Sequence, residues 1–282
     1  MEHRLTAEDG FFPSDSVLKR MARESVGLLG GGRALLMQLA HPLVACGVSA
    51  HSDFHTDPLG RLDRTVNLML ALIAGTRSQA EAALRRFHTV HAPIHGRAPV
   101  AAGSFANGLT YSARDPALQL WVHATLIDTT LITYEHFVKP LASSERARFY
   151  ADALRFADLI GIPSTIVPPT LEKFHAYMCS MLSGDTLTVT DAARALAPLV
   201  LAPTVWIVPR TCAALVRFVT AGLLPDRLRE AYGFVWDARR QARLDMLSDA
   251  SRTLLPFAPH SLRHLSVAGR TGFVSWALRH TP

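Results

Sequence analysis

The chain has 282 residues, 49 % of them hydrophobic and 18 % charged, with a mean hydropathy of +0.17. That composition excludes dominant disorder and supplies apolar material for one large core. The formal charge is +6, but 26 of the 29 basic residues are arginines scattered along the chain, with no basic run interleaved with aromatics, which argues against nucleic acid as a partner.

The first 14 residues carry no apolar signal core and read as an N-terminal arm. Three glycines, Gly30, Gly31 and Gly32, suggest a tight turn before a helix over residues 33–40. No Gly-Lys-Ser/Thr, G-x-G-x-x-G or preceding strand turns them into a nucleotide loop. Asp57-Pro58 reads as an N-cap followed by proline at the first helical position, and Gly75 ends that helix. Ser78-x-x-Glu81 reads as a capping box opening a helix toward His91, which Pro93 stops. Residues 96–108 are rich in Gly, Ala and Pro and read as a loop. Asp115-Pro116 opens a long helix over residues 117–138 that is apolar nearly all round and therefore buried. Ser143-Ser144-Glu145 caps the next helix, which stops at Gly161. Further helices follow Pro169, Asp191, Pro209, Pro225 and Asp237.

Strand signals are poor: residues 186–190 (TLTVT) alternate but stand alone. The predicted architecture is all-α, with one domain of about ten helices over residues 15–268, after the arm at 1–14 and before a tail at 269–282. The greasiest stretch, residues 195–208, is broken by Pro198 and Pro203 and is too short for a membrane span. It reads as a buried helix–turn–helix, with a peripheral (monotopic) membrane contact as the alternative. Cys46, Cys179 and Cys212 are odd in number and widely spaced. They exclude a disulfide scaffold, a Cys-based zinc site and covalent c-type haem attachment, and they fit a reducing, cytoplasmic setting.

Thirteen histidines focus the search for chemistry. His88-x-x-His91-x-x-x-His95 places imidazoles at helical spacing. Three readings stay open: a His-ligated zinc site of a hydrolase, one axial haem ligand, or a helix end with incidental histidines. Arg61, Arg64 and Thr65 lie in the first two turns of the Asp57-Pro58 helix and read either as an ordinary solvated helix face or as a clamp for a carboxylate such as a haem propionate. His123 and Asp128 sit inside the apolar helix and need partners. His123 is either a satisfied core histidine or a pocket-lining acid/base.

The ordered strings GGGRALLMQLAHPLVACGV, HSDFHTDPLGRLDRT, VHAPIHG, YSARDPALQLWVHATLIDTTLITYE and LLPDRLREAYGFVWDARRQAR resemble one family over roughly residues 20–265. The resemblance is to the rubber oxygenase (latex-clearing protein) and MpaB-type haem-dependent oxygenases, in an uncharacterised bacterial branch. It implies an all-α fold enclosing a non-covalent haem b, with O₂ as co-substrate. The family's proximal histidine segment matches residues 86–94 and selects His91 as the iron ligand, and the family's paired Arg and Thr match Arg61 and Thr65. Rubber oxygenases can place a distal lysine ligand immediately before that Thr. Here the position is Arg64, whose guanidinium does not deprotonate, so the distal iron position is expected to stand open or hold water. No carboxylate base is evident beyond Asp53, with His51 near it. The resemblance thus implies an oxygenase acting on a small or medium apolar molecule such as an alkene, isoprenoid or aromatic natural product. His91, Arg61 and Thr65 would hold the cofactor, and His123 and Arg64 would tune the site. A haem-binding or haem-sensing protein without turnover is the alternative.

Overall fold

The computed structural model describes residues 10–52, 57–201 and 210–267. Among these residues the fold is all-α, with thirteen helices and one two-stranded sheet. The helices beyond the expected ten or so are short, such as α1 (Val17–Ala22), α11 (Asp226–Ala231) and α13 (His260–Arg263). No single helix among the described residues is long and apolar enough to cross a bilayer.

The central element is α6 (Pro116–Phe137), 22 residues long and about 33 Å at 1.5 Å per residue. Asp115 caps it by accepting from the Ala117 and Leu118 amides. Because α6 is apolar all round, neighbours cover it on several sides. Met37 and Gln38 of α2 (Gly31–Leu39) bond to it through Trp121 Nε1 (3.2 Å to Met37 O) and Thr125 Oγ1 (3.1 Å from Gln38 Nε2). Helices α7 (Ser143–Leu159) and α12 (Ala238–Leu254) cover other faces. Asp128 finds its partner in Arg33 of α2. The buried guanidinium donates to Asp128 Oδ2 (2.6 Å), Thr129 Oγ1 (2.6 Å) and Leu223 O (2.7 Å), tying α2 and α6 to α10 (Arg210–Leu223).

Several expectations are corrected. Gly30–Gly32 form no turn: Gly30 ends a 3₁₀ segment (Ser25–Gly30), and α2 begins at Gly31. Their role is close packing. A methyl group on Gly30 would collide with Thr133 Oγ1 and one on Gly32 with Thr220 Oγ1, whereas Gly31 faces open space. Helix α5 (Arg77–His91) starts earlier than expected. Thr76 and Gln79 make the capping box, while Glu81 pairs with Arg77 one turn away (2.6 Å). Helix α7 takes Ala142 as its N-cap, and Glu145 accepts from the Ala142 amide (3.3 Å). Residues 186–190 form no strand; Thr190 instead caps α9 (Asp191–Leu201) by accepting from the Ala193 amide. The loop expected over 96–108 is a loop from residue 98 onward, but its first two residues belong to β1 (His95–Arg97), which pairs antiparallel with β2 (Thr110–Ser112), Gly96 opposite Tyr111.

The apolar stretch at 195–208 is buried where α9 carries it, at Leu196, Ala197 and Leu201, and residues 202–208 lie outside the described residues. Phe11 and Phe12, in the expected N-terminal arm, are core residues. The expected tail, 269–282, lies outside the described residues.

Candidate functional site

Helices α4 (Pro58–Ala74) and α5 form an antiparallel hairpin because Gly75 ends one and Thr76 caps the next. Arg61 precedes Gly75 by 14 residues (75 − 61) and His91 follows Arg77 by 14 (91 − 77). At 1.5 Å per residue both stand about 21 Å from the turn, at the open end of the hairpin.

Helix α3 (Pro42–His51) braces that end. Its C-cap, Ser52, accepts a hydrogen bond from Arg61 Nε (2.7 Å). His51 Nε2 lies 3.5 Å from the Tyr111 hydroxyl on β2. Gly47 brings the α3 backbone so close that a Cβ there would touch Tyr111 at 3.5 Å and Ile94 at 3.8 Å. Ile94 is bonded back to His91 through its amide (3.2 Å). The fold therefore brings the first turns of α4, the last turn of α5 and the hairpin after it around the end of α3.

Within this frame the three spaced histidines differ. His88 and His95 are exposed, while His91 is half-buried with Phe87 stacked at 4.2 Å between ring centroids. His91 Nδ1 lies 2.7 Å from Phe87 O, which fixes the proton on Nδ1 and leaves the lone pair on Nε2. Burial lowers the His91 pKa, against the opposing pull of the Phe87 carbonyl, and His88 nearby lowers it further. A neutral, oriented imidazole is the state a metal requires of its ligand. Among the described residues no group of three or more His, Cys, Asp or Glu is placed to hold a metal ion, so the three-histidine zinc site is not built.

Thr65 turns its hydroxyl back to donate to Arg61 O (2.9 Å), which leaves its oxygen lone pairs as the outward feature. Arg64 Nη1 reaches the capping carboxylate of Asp57 (2.7 Å), and both side chains are substantially exposed. Asp53 lies outside the described residues. His123 is buried against α7, its ring 5.6 Å from Phe156, with the Ala153 backbone beside it. Its Nδ1 has no hydrogen-bond partner, and burial drives its pKa down to about 4. Helix geometry thus sets His91, Arg61 and Thr65 toward the open end of the α4–α5 hairpin. His123 lies apart from them on α6, buried against α7.

Two further residues escape sequence reasoning. His41, just before α3, is buried with its ring 5.0 Å from Phe105 and its Nδ1 unpartnered. Burial pulls its pKa to about 4, against the pull of Asp115. The signal was a His-Pro pair opening an apolar helix, where burial is the default. Asp63 has a buried Oδ1 without a partner, although it follows Arg61 by only two residues on a helix that looked solvated.

Residues 18–253 match the family described as ER-bound oxygenase mpaB/B′/rubber oxygenase, catalytic domain. An uncharacterized protein of Mycobacterium bovis and one of Mycobacterium tuberculosis are each 25 % identical over 232 residues. The alignments cover 80 % of this chain and 88 % of theirs. No solved structure matches the chain.

Proposed function

The chain belongs to the mpaB/B′ and rubber oxygenase catalytic-domain family, and from that premise we propose that it is a haem b-dependent oxygenase acting on a small or medium apolar substrate. The observation that carries the haem assignment is His91, whose Nδ1 is committed to Phe87 O and whose Nε2 is left as an oriented lone pair. The donor set fits haem, which needs one imidazole and a cationic partner for its carboxylates in place of a polydentate cage. Bound haem supplies the O₂ binding and electron transfer that side chains lack.

The chain's own contribution is holding and orienting. His91 would ligate the iron, with the Phe87 carbonyl fixing its tautomer and Phe87 packing against the ring. Arg61 would face a propionate. Its Nε is held by Ser52, so the plane of the guanidinium fork is set before the cofactor arrives. Thr65 adds a hydroxyl one turn away. Arg64 supplies positive charge at the rim but no iron ligand, since a guanidinium keeps its proton. His123, neutral and apolar-walled, tunes the interior from α6.

Purified protein should show a Soret band and yield haem b to pyridine at close to one per chain. His91→Ala should lose most of the haem, while His88→Ala and His95→Ala retain it. Arg61→Ala should weaken retention more than Arg64→Ala, whose partner is the exposed Asp57. A protein that folds normally yet takes up no haem would falsify the reading. Consumption of O₂ with an apolar alkene or aromatic would then separate an oxygenase from a haem protein without turnover.

A further inference from the structure

Between Glu81 and Asp115 the chain runs for 33 residues, 82–114, without one carboxylate. Arg85, Arg86, Arg97 and Arg114 lie in that stretch and are all exposed. So are three aliphatic side chains: Val90 at 49 %, Val100 at 69 % and Leu109 at 41 %. Local structure keeps them outside. Helix α5 buries Ala80 and Ala83 and packs Leu84 and Phe87 on the core. Arg86 and Val90, one turn apart, are left on its outer side. Past β1, the Ala98 amide donates to Leu109 O (2.8 Å) and Arg97 Nη1 donates to Gly108 O (3.1 Å), so Leu109 sits at the base of the loop and Val100 rides beyond those bonds.

We infer that this face docks on the surface of an anionic lipid bilayer. Exposed aliphatics gain from hydrocarbon and arginines pair with headgroup phosphates, and against four arginines the exposed carboxylate seen beside this loop is Asp185, whose main-chain carbonyl accepts from Ser104 Oγ (3.5 Å). The other exposed apolar group, Met246, Leu254, Phe257 and Leu262 near the C-terminal end, is accompanied by Asp245 and Asp249 and lacks that charge pattern. An acidic protein could satisfy the arginines but gives loop-borne valine and leucine no hydrocarbon layer to enter. The inference rests on exposure and charge and stands without the cofactor assignment.

The test is cosedimentation of the full chain with vesicles of phosphatidylcholine alone or mixed with phosphatidylglycerol, at low and high salt. The expected result is binding to the mixed vesicles that weakens as salt rises. Arg85→Gln with Arg86→Gln should weaken it roughly 25-fold, about fivefold per charge removed. Val100→Asp with Leu109→Asp should bring it below detection. All four side chains are exposed, so circular dichroism of the variants should match that of the unmodified protein. No binding to mixed vesicles, or binding that both double variants leave unchanged, overturns the inference. Retention on an immobilised acidic protein without vesicle binding also overturns it and assigns the face to a protein partner.

Discussion

His41 and His123 show how one residue type carries different burdens in one chain. Both are buried, both have an Nδ1 without a hydrogen-bond partner, and burial lowers both pKa values to about 4. In the unfolded chain they titrate near the ordinary value of about 6.5. Between those values the unfolded state binds more protons than the folded state, so stability is full above pH ~6.5 and drains away as pH falls toward ~4. From pH 7 to pH 5 each should cost roughly 2 kcal/mol. Urea midpoints across that range should shift accordingly, and His123→Phe, which cannot protonate, should flatten the dependence by about half. A midpoint independent of pH in the unmodified protein would show that these imidazoles are solvated. Under the proposed haem assignment, His91, whose pKa burial also lowers, should release the cofactor as acid protonates Nε2.

At the scale of elements, the strong caps were legible. Asp57-Pro58, Gly75 and Asp115-Pro116 begin and end helices where the sequence places them, because an N-cap carboxylate and a fixed proline φ leave few alternatives. Weaker caps misled. Ser78 and Glu81 match a capping box, yet Thr76, freed immediately after Gly75, nucleates the helix two residues earlier. Spacing alone left His91, His88 and His95 alike and only the family resemblance selected His91, since burial and the Phe87 carbonyl are tertiary facts. Arg61 and Arg64 were likewise separated only by the resemblance, and the structure gives them different partners, Ser52 and Asp57. Gly30–Gly32 were misread because glycine signals a turn and a close helix contact with the same letter. Their packing makes a sharp comparison. Gly32→Ala should destabilise by about 1–3 kcal/mol through its clash with Thr220. Gly31→Ala, facing open space in a helix, should be neutral or stabilise by about 0.5–1 kcal/mol. Thermal melts of the two variants check the difference, and Gly32→Ala with Thr220→Ala should recover part of the loss.

At the scale of the molecule, the described segment beyond the family match, which stops at residue 253, folds back onto residues 23–25 near the start of that match. Glu24 is buried and receives Arg263 through Nε (3.2 and 3.1 Å) and Nη2 (2.8 Å). Ser25 Oγ donates to Leu262 O (2.7 Å), and the Leu265 amide donates to Arg23 O (2.7 Å). A buried carboxylate with a bidentate guanidinium is balanced as a pair but costly when halved. Arg263→Ala should therefore destabilise by about 3 kcal/mol, because Glu24 keeps its charge and loses its only ion-pair partner among the described residues. Arg263→Ala with Glu24→Gln should lose less than Arg263→Ala alone, since the amide needs no counter-charge. A double-mutant cycle in urea measures that coupling. Additive losses would mean that water solvates Glu24 and that the two ends are held by the backbone bonds alone.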